Sequence, residues 1–251
     1  MLIVLEGLDG SGKSTQLALL RDWLFSQGID PVTIKLPDYE DDSSLLVRRY
    51  LAGEFGNQPG DVNAYAASLF YAVDRYSNFK LKWAGDYQAG RVILADRYTT
   101  SNAYHQATKL PPTQWPAFFA WLEETEYGKL GIPKPDLVFY LDMPPEVSRA
   151  LISARYQGDE GKRDIHEADY PYLLHCREAA MAAMQSLGWI HVPCCCAQPD
   201  SQLSEEEKQE LLLMVGYLKH TEAMNEGYSH ISSPEEIHER IREHVRSRLA
   251  H

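Results

Sequence analysis

Hydrophobic positions along the chain fall into short apolar runs, separated by longer segments in which apolar residues recur at helical spacing. Continuous short runs are typical of strands that are buried on both faces. They predict five strands: Leu2 to Leu5, Pro31 to Lys35, Val92 to Ala95, Leu137 to Leu141 and Trp189 to Val192. Because strands and helices alternate, the pattern predicts an α/β fold with a five-stranded parallel sheet flanked by helices.

The segments of helical spacing complete this picture. Six of them predict helices, most ending near a glycine: Lys13 to Gln27, Leu45 to Leu51, Val62 to Gln88, Trp115 to Glu126, Pro145 to Ala154 and Tyr170 to Leu187. Residues 156–167 are polar and contain glycine, so we expect a mobile loop there. An extra acidic segment, residues 197–231, contains a predicted helix from Ser204 to His220, and a final helix runs from Pro234 to Leu249. We treat residues 1–251 as one domain.

A complete G-x-x-x-x-G-K-[ST] motif follows the first strand directly, at residues 7–14. In such a P-loop the backbone N–H groups turn toward a phosphate and the start of the next helix adds its dipole. Lys13 can reach the outer phosphates, and the hydroxyl of Ser14 can bind magnesium. The motif predicts a nucleotide site but leaves the reaction open.

Charge narrows the choice of partner. The chain has 36 acidic and 24 basic residues, a formal charge of −12 and a pI near 5.2. This balance argues against binding to nucleic acid or to anionic membranes, whereas a small phosphate ligand stays compatible with it. The sequence lacks both a membrane-length apolar stretch and the pattern of a signal peptide, and its four cysteines suggest neither a disulfide framework nor a metal site. We therefore expect a cytoplasmic protein.

The middle of the chain offers residues for a second substrate. Asp96 and Arg97 stand at the end of the third strand, where the acid can hold magnesium through water and the arginine can bind an acceptor phosphate. Tyr71 and Arg75 lie four residues apart on a predicted helix and so share one face. A planar base could stack on the ring while the guanidinium contacts a base edge or a phosphate.

Together these residues resemble the thymidylate kinase family, P-loop enzymes that phosphorylate dTMP with ATP. The resemblance covers the chain from Met1 to about Val192, with the final helix, and rests on six segments in order: 6–15, 36–39, 50–56, 71–75, 96–98 and 133–137. It implies a three-layer P-loop kinase fold with a lid at about residues 156–167. It also implies Mg²⁺-dependent transfer of the γ-phosphoryl group of ATP to dTMP in dTTP synthesis, and a homodimer formed through helices near the nucleotide site.

The resemblance also implies residue roles. ATP-binding residues are Gly7, Leu8, Asp9, Gly10, Ser11, Gly12, Lys13, Ser14 and Thr15. Substrate-binding residues are Asp9, Tyr39, Tyr71, Arg75, Arg97 and Asn102, and metal-site residues are Ser14, Asp96 and Glu167. Catalytic residues are Lys13, Asp9, Arg97 and an arginine from the lid, because Gly10 occupies a position where other members carry arginine. Arg155 is the first choice for that role, ahead of Arg149, Lys162 and Arg163.

Three departures from the family pattern leave alternatives open. Asp38 stands near where the family often has arginine, so that phosphate contact is either missing or supplied by Arg48 or Arg49. The stacking aromatic is expected at Tyr71 rather than Phe70, and a second aromatic is either Tyr104 or His105. Another nucleoside monophosphate kinase, a deoxynucleoside kinase or a P-loop regulatory protein remains the alternative function, and a GTPase is disfavoured because the chain lacks an Asn-Lys-x-Asp motif.

Overall fold

A computed structural model describes residues 1–56, 58–145, 147–148, 170–196 and 230–249. Its centre is a five-stranded parallel sheet in the order β2-β3-β1-β4-β5. The strands are β1 (Leu2–Glu6), β2 (Val32–Lys35), β3 (Ile93–Asp96), β4 (Leu137–Asp142) and β5 (Ile190–Pro193). The five predicted strands are confirmed, each to within one residue at either end.

Burial explains why the sequence predicts these strands. Every residue of β1 and β3 is buried, whereas the edge strand β2 alternates between half-buried and exposed positions. Alternate side chains of β1 enter two separate cores. Leu2 and Val4 pack in an aromatic-rich cluster on one face, and Ile3 and Leu5 pack on the other. The result is a three-layer α/β fold of the expected class.

The helices follow the prediction with three differences. They are α1 (Lys13–Ser26), α2 (Leu45–Leu51), α3 (Ala64–Asn78), α4 (Ala84–Gln88), α5 (Thr100–His105), α6 (Trp115–Glu123), α7 (Tyr170–Leu187) and α8 (Pro234–Leu249). The single predicted helix from Val62 to Gln88 is interrupted by a π-helical turn at Phe79–Trp83. A second π-helical turn, Glu124–Lys129, extends α6, and α5 was not predicted. Short 3₁₀ turns occupy Asp42–Ser44, Pro59–Asp61, Ala107–Lys109 and Pro112–Gln114.

Two short strands precede the last helix and were also not predicted. They are β6 (Cys195–Cys196) and β7 (His230–Ile231), which pair antiparallel. Helix α8 has the predicted bounds and buries Ile237, Ile241 and Val245 against the sheet face that α1 also covers. The predicted helix from Ser204 to His220, the lid at residues 156–167 and most of the helix from Pro145 to Ala154 lie outside the described residues. Within those residues, no helix has the length and apolarity needed to cross a membrane.

Candidate active site

The P-loop connects β1 to α1, and it needs glycine at Gly7 because of the space available and at Gly12 because of the backbone conformation. A Cβ atom on Gly7 would lie 2.6 Å from the Ser11 Oγ atom and 2.8 Å from the Leu141 carbonyl oxygen. Gly12 precedes α1 with a φ of 89°, in the left-handed region that glycine adopts without strain. The loop can therefore keep its backbone tightly curled in front of the helix, where an anion is bound favourably.

Lys13 is buried inside this loop. Its ammonium donates hydrogen bonds of 2.9 Å to the carbonyl oxygens of Gly7 and Leu8 and lies 3.7 Å from an Asp9 carboxylate oxygen. Burial, together with the positive charge of Arg97, lowers the pKa of Lys13 to about 8, although Asp9 acts in the opposite direction. The ammonium thus lies in a site where additional negative charge, such as a phosphate, would stabilise its protonated form.

Ser14 and Asp96 form the predicted metal-site pair. The Ser14 hydroxyl donates to an Asp96 carboxylate oxygen at 3.3 Å, and Asp96 is 5% exposed. Mg²⁺ prefers oxygen ligands and commonly takes one or two from protein and the rest from phosphate and water, so this pair fits a nucleotide-bound Mg²⁺. Across the described ranges, no group of three His, Cys, Asp or Glu side chains could hold an ion alone. Glu167 lies outside those ranges.

The six predicted substrate-binding residues line one open cleft of about 980 Å³: Asp9, Tyr39, Tyr71, Arg75, Arg97 and Asn102. They come from the segments that follow β1, β2 and β3, and from helices α3 and α5. Loops at the carboxyl ends of parallel strands meet at one edge of a sheet, which explains how residues so far apart in the chain converge. The cleft is also lined by His105, one of the two candidates for the second aromatic, and by Lys35, Ser101, Gln106 and Tyr172, to which no role was assigned.

Arg97 links this cleft to the P-loop. One of its guanidinium nitrogens donates to an Asp9 carboxylate oxygen at 2.6 Å, and the other contacts the Tyr104 hydroxyl at 2.9 Å and the His105 Nε2 atom at 3.2 Å. Burial alone would raise the pKa of Asp9, but the charges of Arg97 and Lys13 hold it well below its usual range. Asp9 is therefore ionised and fixes the guanidinium beside the P-loop.

Arg75 has a partner that the sequence did not reveal. Its guanidinium donates two hydrogen bonds, of 2.5 and 2.7 Å, to the carboxylate of Glu126, and both side chains are almost fully buried. Glu126 lies on the π-helical turn Glu124–Lys129, 51 residues away in the chain. The bidentate geometry fixes the plane of the guanidinium where it borders the cleft.

The structure brings one member of each candidate pair of aromatic residues to the cleft. Phe70 packs with Tyr50 and Phe55, at ring distances of 6.2 and 5.3 Å, whereas Tyr71 lines the cleft. Tyr104 is fully buried, and His105 lines the cleft in its place. Tyr71 and His105 are thus the residues available to a ligand.

Of the two alternatives at Asp38, a missing contact or one supplied by Arg48 or Arg49, the contacts of these two arginines do not favour the second. Arg48 donates to the carbonyl oxygens of Tyr39 and Asp41 and to Ser44, so it braces the loop, and neither arginine borders the cleft. Arg49 lies 3.6 Å from Glu54 on the surface. Besides Arg75 and Arg97, the cleft is bordered by Lys35, at the end of β2. Its position at a strand end was a signal that the sequence offered.

The lid residues cannot be placed in this geometry. Arg155, the first choice for a lid arginine, lies outside the described residues, as do Arg149, Lys162 and Arg163. Their assignment stays a prediction.

Known proteins resemble this chain over most of its length. The thymidylate kinase family model matches residues 5–193. A thymidylate kinase from Mycobacterium tuberculosis is 31% identical over 191 residues, which make up 75% of this chain and 87% of that protein. A probable thymidylate kinase from Thermococcus kodakarensis is 32% identical over 157 residues, 62% of this chain and 72% of its own. A thymidylate kinase from Jannaschia sp. is 29% identical over 166 residues, 66% of this chain and 74% of its own. Because the family model covers well over half of the sequence, this chain belongs to the thymidylate kinase family.

Proposed function

We propose that this protein transfers the γ-phosphoryl group of ATP to the phosphate of dTMP, giving dTDP and ADP for dTTP synthesis. The observation that carries the proposal is the single cleft that runs from the P-loop to Tyr71. It brings a phosphate-binding loop, two arginines and an aromatic ring to one edge of the sheet. Membership of the thymidylate kinase family supports the same reaction.

On the donor side, the P-loop residues 7–15 hold the phosphates of ATP. Their backbone N–H groups and the N-terminus of α1 face the anion, and Lys13 compensates the charge that develops on the transferred group. Ser14 and Asp96 would hold Mg²⁺, which when bound supplies further positive charge to the phosphate oxygens.

On the acceptor side, Tyr71 stacks on the thymine ring, with Arg75 and Asn102 at its edge. Arg97, held by Asp9, binds the acceptor phosphate, and Tyr39 closes the same end of the cleft. An oxygen of that phosphate bonds to the γ-phosphorus while the bond to the β–γ bridging oxygen breaks, and its electron pair leaves with ADP. The attacking oxygen carries no proton that must be removed, so the protein's task is positioning and charge compensation. Arg155 is proposed to complete that compensation from the lid.

Steady-state kinetics with a panel of monophosphates tests this proposal. We expect the highest kcat/KM for dTMP with ATP as donor. A higher kcat/KM for dUMP, dCMP or AMP would overturn the assignment of substrate. In the same assay Lys13→Ala should abolish turnover without changing the circular dichroism spectrum, and Arg155→Ala should lower kcat far more than it raises KM for dTMP.

We also propose that a second copy of the chain covers the outer face of α3. Leu69, Val73 and Tyr76 are 44%, 52% and 40% exposed and, being spaced four and three residues apart, form one apolar stripe. Sedimentation velocity should show a dimer that Val73→Glu converts to a monomer. The matched variant Phe25→Glu, at an exposed phenylalanine of α1, should remain dimeric. A monomeric wild-type chain would refute this assembly.

A further inference from the structure

Glu6, the last residue of β1, has no assigned role, although it directly precedes the P-loop. Its side chain is fully buried, and its carboxylate accepts four hydrogen bonds. The donors are the Tyr98 backbone N–H (3.1 Å) and the hydroxyls of Thr100 (2.6 Å), Ser101 (2.7 Å) and Tyr104 (2.9 Å). All four belong to the segment that follows β3, which is the segment that carries Arg97.

The backbone of that segment needs such support. Arg97 has a φ of 68°, and it is the one non-glycine residue with positive φ in the described part of the chain. A side chain in the left-handed region is strained and persists only where the surroundings enforce it. The Glu6 carboxylate binds the N–H of the very next residue, Tyr98, and so holds the peptide on the far side of this turn.

The side chain of Arg97 depends on Glu6 as well, through Tyr104. The Tyr104 hydroxyl donates to Glu6 and accepts a hydrogen bond of 2.9 Å from the Arg97 guanidinium. Burial and the negative charge of Glu6 raise the pKa of Tyr104 well above its usual value, so the hydroxyl keeps its proton. The other end of the guanidinium is bound by Asp9 at 2.6 Å. Arg97 is therefore fixed from both ends, and one of them leads to Glu6.

We propose that Glu6 is the positioning residue for Arg97: it holds the strained turn and, through Tyr104, the orientation of the guanidinium toward the acceptor phosphate. Glu6 itself is buried beneath the cleft and is absent from its lining, so it touches neither substrate. The inference rests on the proposed function only in identifying the acceptor phosphate as the group that Arg97 binds.

Glu6→Gln replaces the carboxylate by an amide of nearly the same shape, and so tests whether the charged acceptor is required. A carboxylate can accept hydrogen bonds on both oxygens, whereas an amide presents N–H groups to two of the four donors. Since hydrogen bonds to charged groups are the stronger ones, we expect KM for dTMP to rise by about ten- to a hundredfold. KM for ATP should change by less than about threefold, because the P-loop contacts are untouched.

Tyr104→Phe is the second variant, which keeps the test decisive if Glu6→Gln does not fold. It removes the hydroxyl that links Glu6 to the guanidinium, together with the contact of 3.2 Å between that hydroxyl and the Gly7 carbonyl oxygen, and KM for dTMP should rise by at least about fivefold. Tyr127→Phe is the matched control. It removes a tyrosine hydroxyl that contacts the hydroxyl of Thr99 in the same segment, and Tyr127 is not among the residues that line the cleft. It should lower Tm comparably and leave KM for dTMP within about twofold.

Two results would overturn the inference: parallel rises of KM for dTMP and ATP in Glu6→Gln, or an unchanged KM for dTMP in Tyr104→Phe. A wild-type chain that did not phosphorylate dTMP would overturn the proposed function instead. Crystal structures of the wild type and Glu6→Gln would still decide the inference in that case. We expect the variant to lose the positive φ of Arg97 or its contact with Asp9, and an unchanged Arg97 would contradict us.

Discussion

The low pKa of Lys13 predicts that the affinity for ATP falls as the pH rises above about 8. Burial and Arg97 lower this pKa from 10.5 to about 8 in the protein without nucleotide. Phosphate oxygens beside the ammonium favour its charged form, so the pKa is higher in the complex than in the free protein. Between these two pKa values the complex binds more protons than the free protein, and raising the pH therefore weakens binding.

The size of the effect follows from the fraction of protein that is already protonated. With a pKa of about 8, Lys13 is protonated in roughly nine molecules in ten at pH 7 and in about one in ten at pH 9. Because the apparent Kd is the intrinsic Kd divided by the competent fraction, Kd for ATP should be about tenfold higher at pH 9 than at pH 7. At pH 9, binding should take up close to one proton for each ATP.

Isothermal titration calorimetry with ATP in the absence of dTMP measures both quantities. Titrations at one pH in Tris and in bicine, which differ in ionisation enthalpy, report the number of protons taken up. Lys109, whose pKa burial also lowers to about 8, titrates in the same range but contacts Tyr50 and the Val62 carbonyl oxygen rather than the P-loop. Lys13→Arg assigns the effect, since arginine stays charged throughout and its profile should be flat. Equal Kd values at pH 7 and 9 for the wild type, without proton uptake, would refute the reasoning.

Three further predictions concern single contacts or segments. Lys35→Ala should raise KM for dTMP about fivefold, because this lysine borders the cleft and makes no ion pair within the described residues. The control is Lys80→Ala, at an exposed lysine. Equal KM values in the two variants would contradict the prediction. Glu126→Gln should lower the free energy of unfolding in urea by about 3 kcal/mol, since it leaves the buried charge of Arg75 uncompensated. The control Glu124→Gln, which removes an exposed ion pair with Lys129, should change that free energy by less than about 0.5 kcal/mol. Replacing residues 197–229 by a four-residue Gly-Ser linker should change the free energy of unfolding by less than about 1 kcal/mol, because Cys196 and His230 lie opposite each other in the antiparallel pair of β6 and β7. Loss of cooperative thermal unfolding would show that the segment is part of the fold.

The fold could be predicted largely because three of its five strands, β1, β3 and β4, are buried on both faces. Continuous apolar runs such as β1 and β4 admit few other interpretations. Helix α8 has acidic residues in its first turn, basic residues in its last turn and apolar residues at helical spacing between them. The π-helical turns were not predicted because they are built from the same residue types as the α-helices that they interrupt or extend. The turn at Phe79–Trp83 lets both of these aromatic rings enter the core, with centroids 4.6 Å apart, and this depends on packing rather than on local preference.

Most residues predicted for the site carry a motif or a regular spacing, whereas Tyr39 and Asn102 were assigned through the family resemblance. The P-loop, Tyr71 with Arg75, and Asp96 with Arg97 each follow from short-range pattern. Glu126 and the contacts of Glu6 could not be read in this way, since their partners lie 51 and more than 90 residues away. The local sequence does not show that their carboxylates are buried. Both residues therefore resemble ordinary acidic positions on a helix or at the end of a strand. Distance along the chain, rather than residue type, separates what was predicted from what was missed.

Carboxylates at the site also account for the phosphate binding that we propose for this acidic protein. Residues 197–229 hold seven acidic residues and two lysines, which leaves −5 of the net −12 outside the region that matches the family. Within the site, the carboxylates of Asp9 and Glu126 accept hydrogen bonds from Arg97 and Arg75 and fix them. A carboxylate placed behind an arginine orients its positive charge and offsets the cost of burying it, and in the proposed function the rest of the guanidinium is left for the ligand. The net charge treats such an acid as unfavourable to phosphate, although in the proposed function its position helps the arginine to bind phosphate.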